Sequence, residues 1–454
     1  MANYARVILK GTLTTLSDLH IGTGEKQAIT DEKESFNSNA LAQDIAGNPY
    51  IPASSLRGYL RSLEKDPILQ QKIYGIGRQA KDQQDTGNSG AMRIYDARWQ
   101  TEQDQWQAKY ISRTSIDPIT GTAKEHHLST HTLVSAQSHF DLEIQLDHVT
   151  EKEVEAVLKA LSSLKAGRIG KGKSVGQGQL QWEINPTESK TLLEASLKNW
   201  LNNPKLKLAK AYRTLKDSTI EPYSSDWKSI ELYLKALSPL VINDPHTVRK
   251  VAAQTKASNK ANNEDKHPPD LISLQNGNIA IIPASTLKGW MRAHCHKILQ
   301  TMTKDKSSIE QLLNALFGST DTGRGCLQFS NATTELTNKD THTQTFIAID
   351  RFTGGAKPGA LFKAQAVFPE EAFQTHIHYH KDKLEDWMKI LLLYIARDAI
   401  EGDLIIGWGK NKGYGQLQLA KNFHTLKQQY QDQFELWHTA LQNKLNSTTQ
   451  GANT

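Results

Sequence analysis

The amino-acid sequence predicts an α+β fold in which one domain occurs twice along the chain. Three observations support this prediction. The 454 residues exceed what one ordinary domain holds. Apolar residues alternate with polar ones in some segments and recur at helical spacing in others, which indicates both strands and helices. Motifs of the first half also recur in the second half in the same order.

The duplication is visible in pairs of similar segments. IPASSLRGYLR recurs as IPASTLKGWMR, and SIDPITGTAK as AIDRFTGGAK. Turns rich in Gly and Pro occur in many proteins, but these matches extend to side chains outside the turns. The pairs are 51–61 with 282–292, 115–124 with 348–357, 169–181 with 406–418, and the fainter 88–97 with 323–332.

These repeats set the expected domain boundaries. The first domain is predicted at 1–185 and the second at 229–420. The linker at 186–228 contains a short helical pattern, and 421–454 predicts an amphipathic helix with a frayed tail.

Each domain predicts the order strand, helix, strand, strand, helix, strand. Pro52 is suited to the start of the first helix, where Ser54 or Ser55 is expected to cap the backbone amides. This order is that of a ferredoxin-like or RRM-like unit, with the remaining residues in inserted hairpins and loops. In the first domain the segments are ARVILKGTLTTL, LRGYLRSLEK, AMRIYDARW, SHFDLEIQLDHV, EKEVEAVLKALSSL and QGQLQWEI.

Composition narrows the classes of protein. A net charge of +6 and a pI near 8.9 favour a polyanionic partner. Cys295 and Cys326 form no CxxC pair, so a disulfide framework or cysteine-ligated zinc is not expected. We see neither a signal-peptide pattern nor a long apolar run, and we therefore expect a cytoplasmic protein without a membrane partner.

Two glycine-rich loops, 167–178 and 407–415, precede the last strand of each domain. Glycine lets backbone amides approach a phosphate closely, and nearby cations would strengthen such a site. The spacing fits neither a Walker loop nor a dinucleotide fingerprint, and a tight turn is the alternative interpretation. The cations of these loops are Arg168, Lys171, Lys173, Lys410 and Lys412.

The first predicted helix of each domain carries two further cations. Arg57 and Arg61 are four residues apart, and Lys288 and Arg292 occupy the equivalent positions. Residues at that spacing share a helix face, so each domain is expected to present two cations near a helix N-terminus. A solvated face is the alternative.

Together LHIGTGE, GNPYIPASSLRGYLR, ID..TGTAK and the late glycine loop resemble the RAMP superfamily. More narrowly, they are similar to the group-seven backbone subunits of type III CRISPR effectors, and two such units in one chain resemble the fused subunits of a type III-D variant. The resemblance implies an RRM-like core that lies along guide RNA (crRNA) in a filament. Its partners would be guide RNA, single-stranded target RNA and other effector subunits, with the loop and helix cations on RNA.

The resemblance also implies a thumb hairpin in each domain, which wedges between bases and kinks the duplex. Apolar wedges beside cations suit that role, and an ordinary hairpin that supports the sheet is the alternative. The first thumb would span 111–140 with Arg113, Ile116 and Asp117 at its base, and the second 344–367 with Arg351 and Phe352.

In the group-seven backbone subunits that this sequence resembles, an aspartate in the loop between the first strand and the first helix cleaves target RNA. Here that loop is ITDEKESFNSNALAQD, with Asp31 as first choice and Asp44 as second. In the second domain, Asp265 has the matching spacing and Asp244 competes with it. A carboxylate would position a ribose 2′-hydroxyl or hold Mg²⁺, the expected cofactor, while a solvated charge is the alternative.

Histidines suggest further hypotheses. His126, His127, His131 and His139 lie in the expected thumb, where an exposed or base-stacking role is favoured over a metal site. His20 would serve guide-RNA processing, by analogy with a related RAMP branch. The resemblance thus implies an RNA-guided endoribonuclease, with a non-catalytic RNA scaffold as the alternative and a duplicated sugar- or nucleotide-binding enzyme with a closed pocket as a remote third.

Overall fold

A computed structural model describes residues 2–31, 34–76, 89–100, 106–117, 120–203, 207–215, 220–262, 267–319, 321, 323–420, 428 and 430–451. Contacts between residues divide the chain into two compact units. Unit 1 comprises 1–111 and 130–225, and unit 2 comprises 112–129 and 226–454. No helix in the described part of the chain is long and apolar enough to span a membrane.

The first half contains twelve strands and four helices among its described residues. The strands are β1 (Asn3–Thr15), β2 (Gly22–Asp31), β3 (Glu34–Leu41), β4 (Tyr50–Ile51), β5 (Met92–Ile94), β6 (Ala97–Trp99), β7 (Lys109–Arg113), β8 (Ser129–Leu133), β9 (His139–Thr150), β10 (Leu180–Ile184), β11 (Lys190–Leu193) and β12 (Arg213–Thr214). The helices are α1 (Ala53–Leu63), α2 (Pro67–Tyr74), α3 (Glu151–Ser162) and α4 (Glu194–Asn202).

The second half repeats the main elements. Its strands are β13 (Trp227–Ala236), β14 (Leu271–Ile272), β15 (Gln275–Asn276), β16 (Ile279–Ile282), β17 (Leu327–Phe329), β18 (Ala332–Glu335), β19 (Thr341–Ile349), β20 (Ala356–Val367), β21 (Phe373–His380), β22 (Leu404–Ile405) and β23 (Gln416–Leu419). Its helices are α5 (Pro245–Asn262), α6 (Ala284–Met302), α7 (Lys306–Phe317), α8 (Asp386–Ile400) and α9 (Gln431–Gly451).

The core sheet of unit 1 has the strand order of a ferredoxin-like fold. Strand β1 lies between β10 and β9, and β5 and β6 pair with the other edge of β9, all antiparallel. Along β1, Val7, Leu9 and Leu13 are buried because alternate side chains point to one face of a strand. They share one hydrophobic core with Leu56 of α1 and Val157 of α3.

Unit 2 has the same arrangement. Strand β13 lies between β23 and β21, and β17 and β18 pair with the far edge of β21. Leu234, Phe329 and Phe373 are buried on one face of this sheet, and Phe329 stacks on Phe317 of α7 at a centroid distance of 6.3 Å. The predicted α+β class with two tandem ferredoxin-like domains is therefore confirmed.

The expected linker contributes to the first sheet. Strand β11 pairs with β1 on the same edge as β10, and β12 pairs with β11. The hydroxyl of Tyr223 donates a hydrogen bond of 2.6 Å to Glu64 Oε2, and its amide donates 2.8 Å to Ser163 Oγ. Strands β11 and β12 and Tyr223 thus pack onto unit 1, which the basic and irregular sequence of this segment did not indicate.

The first helix of unit 1 is capped differently from our expectation. Neither Ser54 nor Ser55 caps α1, which has Pro52 at its N-cap and no cap bond from that side chain. Instead, the Ala53 amide donates 2.7 Å to Asp96 Oδ1 from the turn between β5 and β6. A long-range partner therefore takes the place of the local hydroxyl.

In α6 the Ala284 amide donates 2.9 Å to Asn331 Oδ1, which occupies the position equivalent to Asp96. The signal for both caps lay in the fainter repeat pair, 88–97 with 323–332, where Asp96 and Asn331 align.

The C-terminal helix α9 packs on α8. Its buried residues Trp437 and Leu441 face α8, and the hydroxyl of Tyr394 lies 2.8 Å from His438 Nδ1. Lys389 Nζ lies 5.4 Å from the centre of the Trp437 ring. The amphipathic pattern at the C-terminus therefore has a partner within unit 2.

Glu153 provides a test of how unit 1 depends on pH. Burial alone would raise the pKa of Glu153, but hydrogen bonds from Lys72 and Thr150 outweigh burial and hold that pKa below its usual value. Because the folded-state pKa is depressed, the charged carboxylate stabilises the fold above the unfolded-state pKa, and this stability is lost as pH falls. We expect Glu153→Gln to lower the free energy of unfolding by about 1 kcal/mol at neutral pH and by less below about pH 4.3.

Urea unfolding of the full chain at pH 7 and pH 4 measures this difference. The control is Glu155→Gln, which removes an exposed ion pair with Lys159 on the same helix. A Glu153→Gln difference that stays constant over this range would contradict the assignment.

Candidate nucleic-acid interface

The two glycine-rich loops have the same backbone conformation. Four glycines in each have φ between +76° and +85°, a region that other residues rarely adopt. A 3-10 turn lies at the centre of each loop, at Lys173–Val175 and at Lys410–Lys412. The glycines are Gly170, Gly172, Gly176 and Gly178 in the first loop and Gly407, Gly409, Gly413 and Gly415 in the second.

The first loop is bonded to the segment that follows β1. The Lys171 amide donates 2.8 Å to the His20 carbonyl, and the Gly178 amide donates 2.9 Å to the Asp18 carbonyl. A Cβ on Gly170 would lie 2.3 Å from the His20 oxygen. Glycine is therefore required here by a close backbone approach.

The second loop repeats these contacts. The Trp408 amide donates 2.8 Å to the Val241 carbonyl, and the Gly415 amide donates 2.8 Å to the Pro239 carbonyl. A Cβ on Gly407 would lie 2.5 Å from the Val241 oxygen. Since these amides are satisfied within the protein, any phosphate contact at either loop must use side chains or the other amides.

The loop cations differ in their exposure. Lys171, Lys410 and Lys412 are exposed, and Lys173 is half-buried. Arg168 is only 7% exposed and donates 2.8 Å from Nη1 to the Lys173 carbonyl, so it braces its own loop. The lysines remain the candidates for phosphate contact.

The helix cations of unit 1 serve partly to hold its structure. Arg57 donates from Nη1 to the Met92 carbonyl at 2.9 Å and from Nη2 to the Tyr74 carbonyl at 2.7 Å. These bonds join α1 to the end of α2 and to β5. Arg61, one turn further along α1, is half-buried.

The equivalent cations of unit 2 are also engaged. Arg292 donates from Nη2 to Glu310 Oε2 at 2.8 Å and to Asn314 Oδ1 at 2.9 Å, which ties α6 to α7. Lys288 is half-buried, and burial together with the nearby Arg292 lowers the pKa of Lys288 to about 8. The sequence spacing alone predicted two cations on an open surface. In the structure neither Lys288 nor Arg292 lies on one.

An open cleft of about 460 Å³ lies beside the first loop. His20, which lines it, is 1% exposed, and its Nδ1 lies 2.7 Å from the Thr132 carbonyl. The rest of the lining is part polar and part apolar, and it includes the cation Lys171 and the carboxylate Glu25.

Aromatic rings occupy the equivalent region of unit 2. Phe346 of β19 stacks on Phe362 of β20 at 5.0 Å, and Trp408 meets both rings edge-on at 5.4 and 5.5 Å. Tyr414 lies 5.7 Å from Trp408, and Lys412 Nζ lies 5.9 Å from the Phe346 ring. This cluster anchors the β19–β20 hairpin to the second glycine loop.

Each of the two expected thumbs has a tip at which an aspartate side chain accepts backbone amides. Asp117 Oδ1 accepts the Thr120 amide at 2.9 Å, and the Gly121 amide donates 2.9 Å to the Asp117 carbonyl. Ile116 forms a bridge with Ala123 beside this turn. Ile116 and Asp117 therefore lie at the tip and not at the base, whereas Arg113 ends strand β7.

In the second thumb, Asp350 Oδ1 accepts the amides of Phe352 and Thr353, both at 2.9 Å. These bonds hold the pKa of Asp350 below its usual value. Arg351 is exposed, and Phe352 is 99% exposed. The tip therefore presents an aromatic ring and a cation to solvent.

The segment that carries Asp31 is a hairpin, although the sequence predicted a loop. Asp31 is the last residue of β2 and pairs with Glu34 of β3. Strand β3 pairs in parallel with β8, so this hairpin shares a four-stranded sheet, ordered β2–β3–β8–β7, with the base of the first thumb.

The other candidate aspartates have different surroundings. Asp44 is exposed, and its Oδ1 accepts the Asn48 amide at 2.9 Å in the turn before β4. Asp244 caps α5, with its carboxylate accepting the His246 amide at 3.1 Å and the Thr247 hydroxyl at 2.6 Å. Asp265 lies outside the described residues.

The thumb histidines are dispersed. His131 Nδ1 lies 3.0 Å from Asn39 Nδ2, and His139 Nδ1 lies 3.0 Å from Thr14 Oγ1. His126 and His127 are exposed. Among the residues that the structure describes, no group of three His, Cys, Asp or Glu side chains is placed to hold a metal ion.

Two glycines of the second loop test the close approach. A Cβ on Gly415 would lie 1.8 Å from the Ile406 carbonyl oxygen, whereas one on Gly413 would enter open space at a similar φ. We expect Gly413→Ala to cost about 1–2 kcal/mol of unfolding free energy from the left-handed conformation alone. Gly415→Ala should cost at least twice as much because the carbonyl must also move.

Urea unfolding compares the two variants. Equal losses for Gly413→Ala and Gly415→Ala would show that the loop tolerates the added methyl group and does not depend on this approach.

Comparison with known families gives one match, and it occurs twice. The family model described as the RAMP superfamily matches residues 12–181 and again residues 233–418. No curated protein matches the chain. The two matched regions include most of the core elements, both glycine loops and both hairpins described above, and they cover more than half of the sequence. The chain belongs to the RAMP superfamily.

Proposed function

We propose that this chain is a duplicated, group-seven type backbone subunit of a type III CRISPR effector, of the III-D kind, that binds guide RNA and cleaves its paired target RNA. Family membership indicates a CRISPR-associated RNA-binding subunit. The observation that carries the finer proposal is the repetition of one assembly. Each half of the sequence combines a glycine loop bonded to the segment after its first strand, an exposed lysine, and a hairpin whose tip carries an aspartate that accepts backbone amides.

Guide RNA would lie along the glycine loops. Lys171, Lys410 and Lys412 are exposed there and would contact phosphates, which set register without reading sequence. Arg168, Arg57 and Arg292 would support these contacts by holding loops and helices in place. The sequence of the guide is therefore expected to matter little for binding.

The hairpin tips would interrupt the guide–target duplex. Phe352 and Arg351 at the second tip combine an exposed ring with a cation, which suits insertion between bases beside a phosphate. Arg113 would contact the backbone near the base of the first hairpin. The tip turn fixed by Asp350 keeps the ring at the apex.

Target cleavage would use Asp31. The β2–β3 hairpin shares a sheet with the base of the first thumb, so the carboxylate would lie near the distorted duplex. The ribose 2′-oxygen would attack the adjacent phosphorus while the bond to the 5′-oxygen breaks, giving a 2′,3′-cyclic phosphate and a 5′-hydroxyl. Mg²⁺ commonly binds through one or two carboxylates and substrate phosphates, and Asp31 would supply such a ligand.

The second domain is the weaker nuclease candidate. Asp244 is occupied in capping α5, which favours Asp265 as the second cleaving residue or a scaffold role for this domain. A chain that only holds RNA while neighbouring subunits cut is the alternative function. Guide processing by His20 is disfavoured because that side chain is buried. The proposed partners are crRNA, target RNA and the other effector subunits, in the cytoplasm.

The loop lysines give the first test of RNA binding. We expect the triple variant Lys171→Ala, Lys410→Ala, Lys412→Ala to bind single-stranded RNA at least tenfold more weakly at physiological salt, since about three phosphate contacts are lost. The slope of log affinity against log salt should fall by about 0.7 per contact.

Fluorescence anisotropy across a salt series measures both quantities. Lys152→Ala, on the exposed start of α3, is the control and should leave them unchanged. An unaltered salt slope in the triple variant would remove the loops from the RNA path.

A cleavage map tests the nuclease assignment. The assembled complex receives end-labelled target RNA and Mg²⁺, with wild type compared with Asp31→Asn, Asp44→Asn, Asp244→Asn and Asp265→Asn. We expect Asp31→Asn to remove one cut, at least 100-fold in rate, while target affinity stays within about twofold. Asp265→Asn should remove a second cut, whereas Asp44→Asn and Asp244→Asn should retain all cuts.

Survival of every cut in all four variants would instead identify the chain as a scaffold. Loss of target affinity together with the cut would show that the aspartate supports structure rather than the reaction.

A further inference from the structure

One face of the second sheet carries a row of ring side chains. The buried residues of β13 and β21 point towards the helices, as Phe373 and Leu234 do. Because side chains alternate along a strand, the residues between them occupy the opposite face. We call this the histidine face, and it comprises Trp227, Ser229, Glu231 and Tyr233 of β13 and Gln374, His376, His378 and His380 of β21.

The rings on this face form an ordered surface. Trp227 meets His380 edge-on at 5.3 Å, and the Arg324 guanidinium carbon lies 4.5 Å from the Trp227 ring centre. His376 stacks near His378 at 6.2 Å with an interplanar angle of 20°. The His376 side chain is 41% exposed, whereas Trp227, His378 and His380 are half-buried.

The face carries little negative charge. Among the described residues of β13 and β21 on this face, Glu231 supplies the carboxylate, and its oxygens are shared by neighbours. Gln374 donates a hydrogen bond to Glu231, and His376 Nε2 lies 3.8 Å from the same carboxylate. A polyanion would therefore meet weak repulsion here.

The equivalent face of unit 1 is built differently. The buried pairs Leu13–Phe140 and Leu234–Phe373 occupy the same place in the two sheets and align FDLEIQLD with FQTHIHYH. In this alignment Asp147 of unit 1 is equivalent to His380 of unit 2.

In unit 1 those positions form ion pairs. Arg6 Nε lies 2.6 Å from Asp147 Oδ1, and Lys10 Nζ lies 3.5 Å from Glu143 Oε2. In unit 2 the matching pairs are Trp227 with His380 and Glu231 with His376. The two copies therefore differ on this face, with two ion pairs in unit 1 and mainly ring side chains in unit 2.

We infer that the histidine face binds unpaired bases of single-stranded RNA by stacking on Trp227, His376, His378 and His380. Rings on an open ferredoxin-like sheet suit base stacking, and the nearby guanidinium suits a polyanion. A protein partner would instead favour a large buried apolar centre, whereas the histidine face is mostly polar. The inference relies on the proposed function only in that RNA is the ligand, and it adds a contact surface separate from the glycine loops.

The test uses the full chain and a labelled RNA of about ten uridines, a length that ordinary single-strand sites cover. The variant Trp227→Leu, His376→Gln, His378→Gln removes three rings, and Gln is the residue that unit 1 has at the position of His378. We expect at least a tenfold loss of affinity with an unchanged salt slope, because stacking and not phosphate contact is removed. Photocross-links from 4-thiouridine RNA should map to Phe373–His380 in the wild type and disappear in the variant.

Two further variants keep the result interpretable. Trp227→Phe retains a ring and should keep affinity within about threefold, and Gln145→Ala on the equivalent face of unit 1 should have no effect. Thermal unfolding confirms that each variant is folded. Unchanged affinity in the triple-ring variant, or cross-links confined to other segments, overturns the inference.

The two proposals fail in distinguishable ways. If the triple-ring variant binds RNA normally while the triple-lysine variant binds it weakly, the histidine face is rejected and the loops remain the RNA path. If the triple-ring variant binds weakly while the triple-lysine variant binds normally, the loops are rejected and the histidine face is retained.

Discussion

Each glycine loop approaches the segment after the first core strand closely, and the position of the loop lysines in both units depends on this contact. The Gly178 and Gly415 amides donate across that approach, and a side chain at either position would collide with a carbonyl of its own loop. In each unit this contact joins the segment before the last core strand to the segment after the first core strand. The contact also fixes the positions of Lys171 and Lys410, because each lysine directly follows a glycine of the loop backbone.

The two copies share this loop conformation and its backbone hydrogen bonds, whereas the side chains around the loops differ. Beside the first loop lies an open cleft lined by His20 and Lys171, whereas Trp408 and Tyr414 of the second loop belong to a cluster of rings that holds the β19–β20 hairpin. The sheet faces also differ, with ion pairs in unit 1 and rings in unit 2. Two copies of one fold thus carry different surfaces on the same core strand order, since surface positions contribute little to the core.

Several charged residues that look functional in the sequence stabilise the fold. Arg57, Arg168 and Arg292 direct guanidinium donors to carbonyl or side-chain oxygens within their own unit, and Asp244 caps a helix. Arginine suits such work because its fixed donors satisfy several acceptors at once. Positive charge near a helix is therefore weak evidence for RNA contact, and the exposed loop lysines are the better candidates.

The sequence by itself determined the α+β class, the duplication and the two glycine loops, because core alternation and glycine spacing are local properties of the chain. The site residues stay predictions. Only the tertiary structure decided that Asp96 caps α1, that β11 and β12 extend the first sheet, and that the Asp31 segment is a hairpin sharing a sheet with the thumb base. These features join residues far apart in sequence, and pairing between distant segments depends on the packed fold rather than on local pattern.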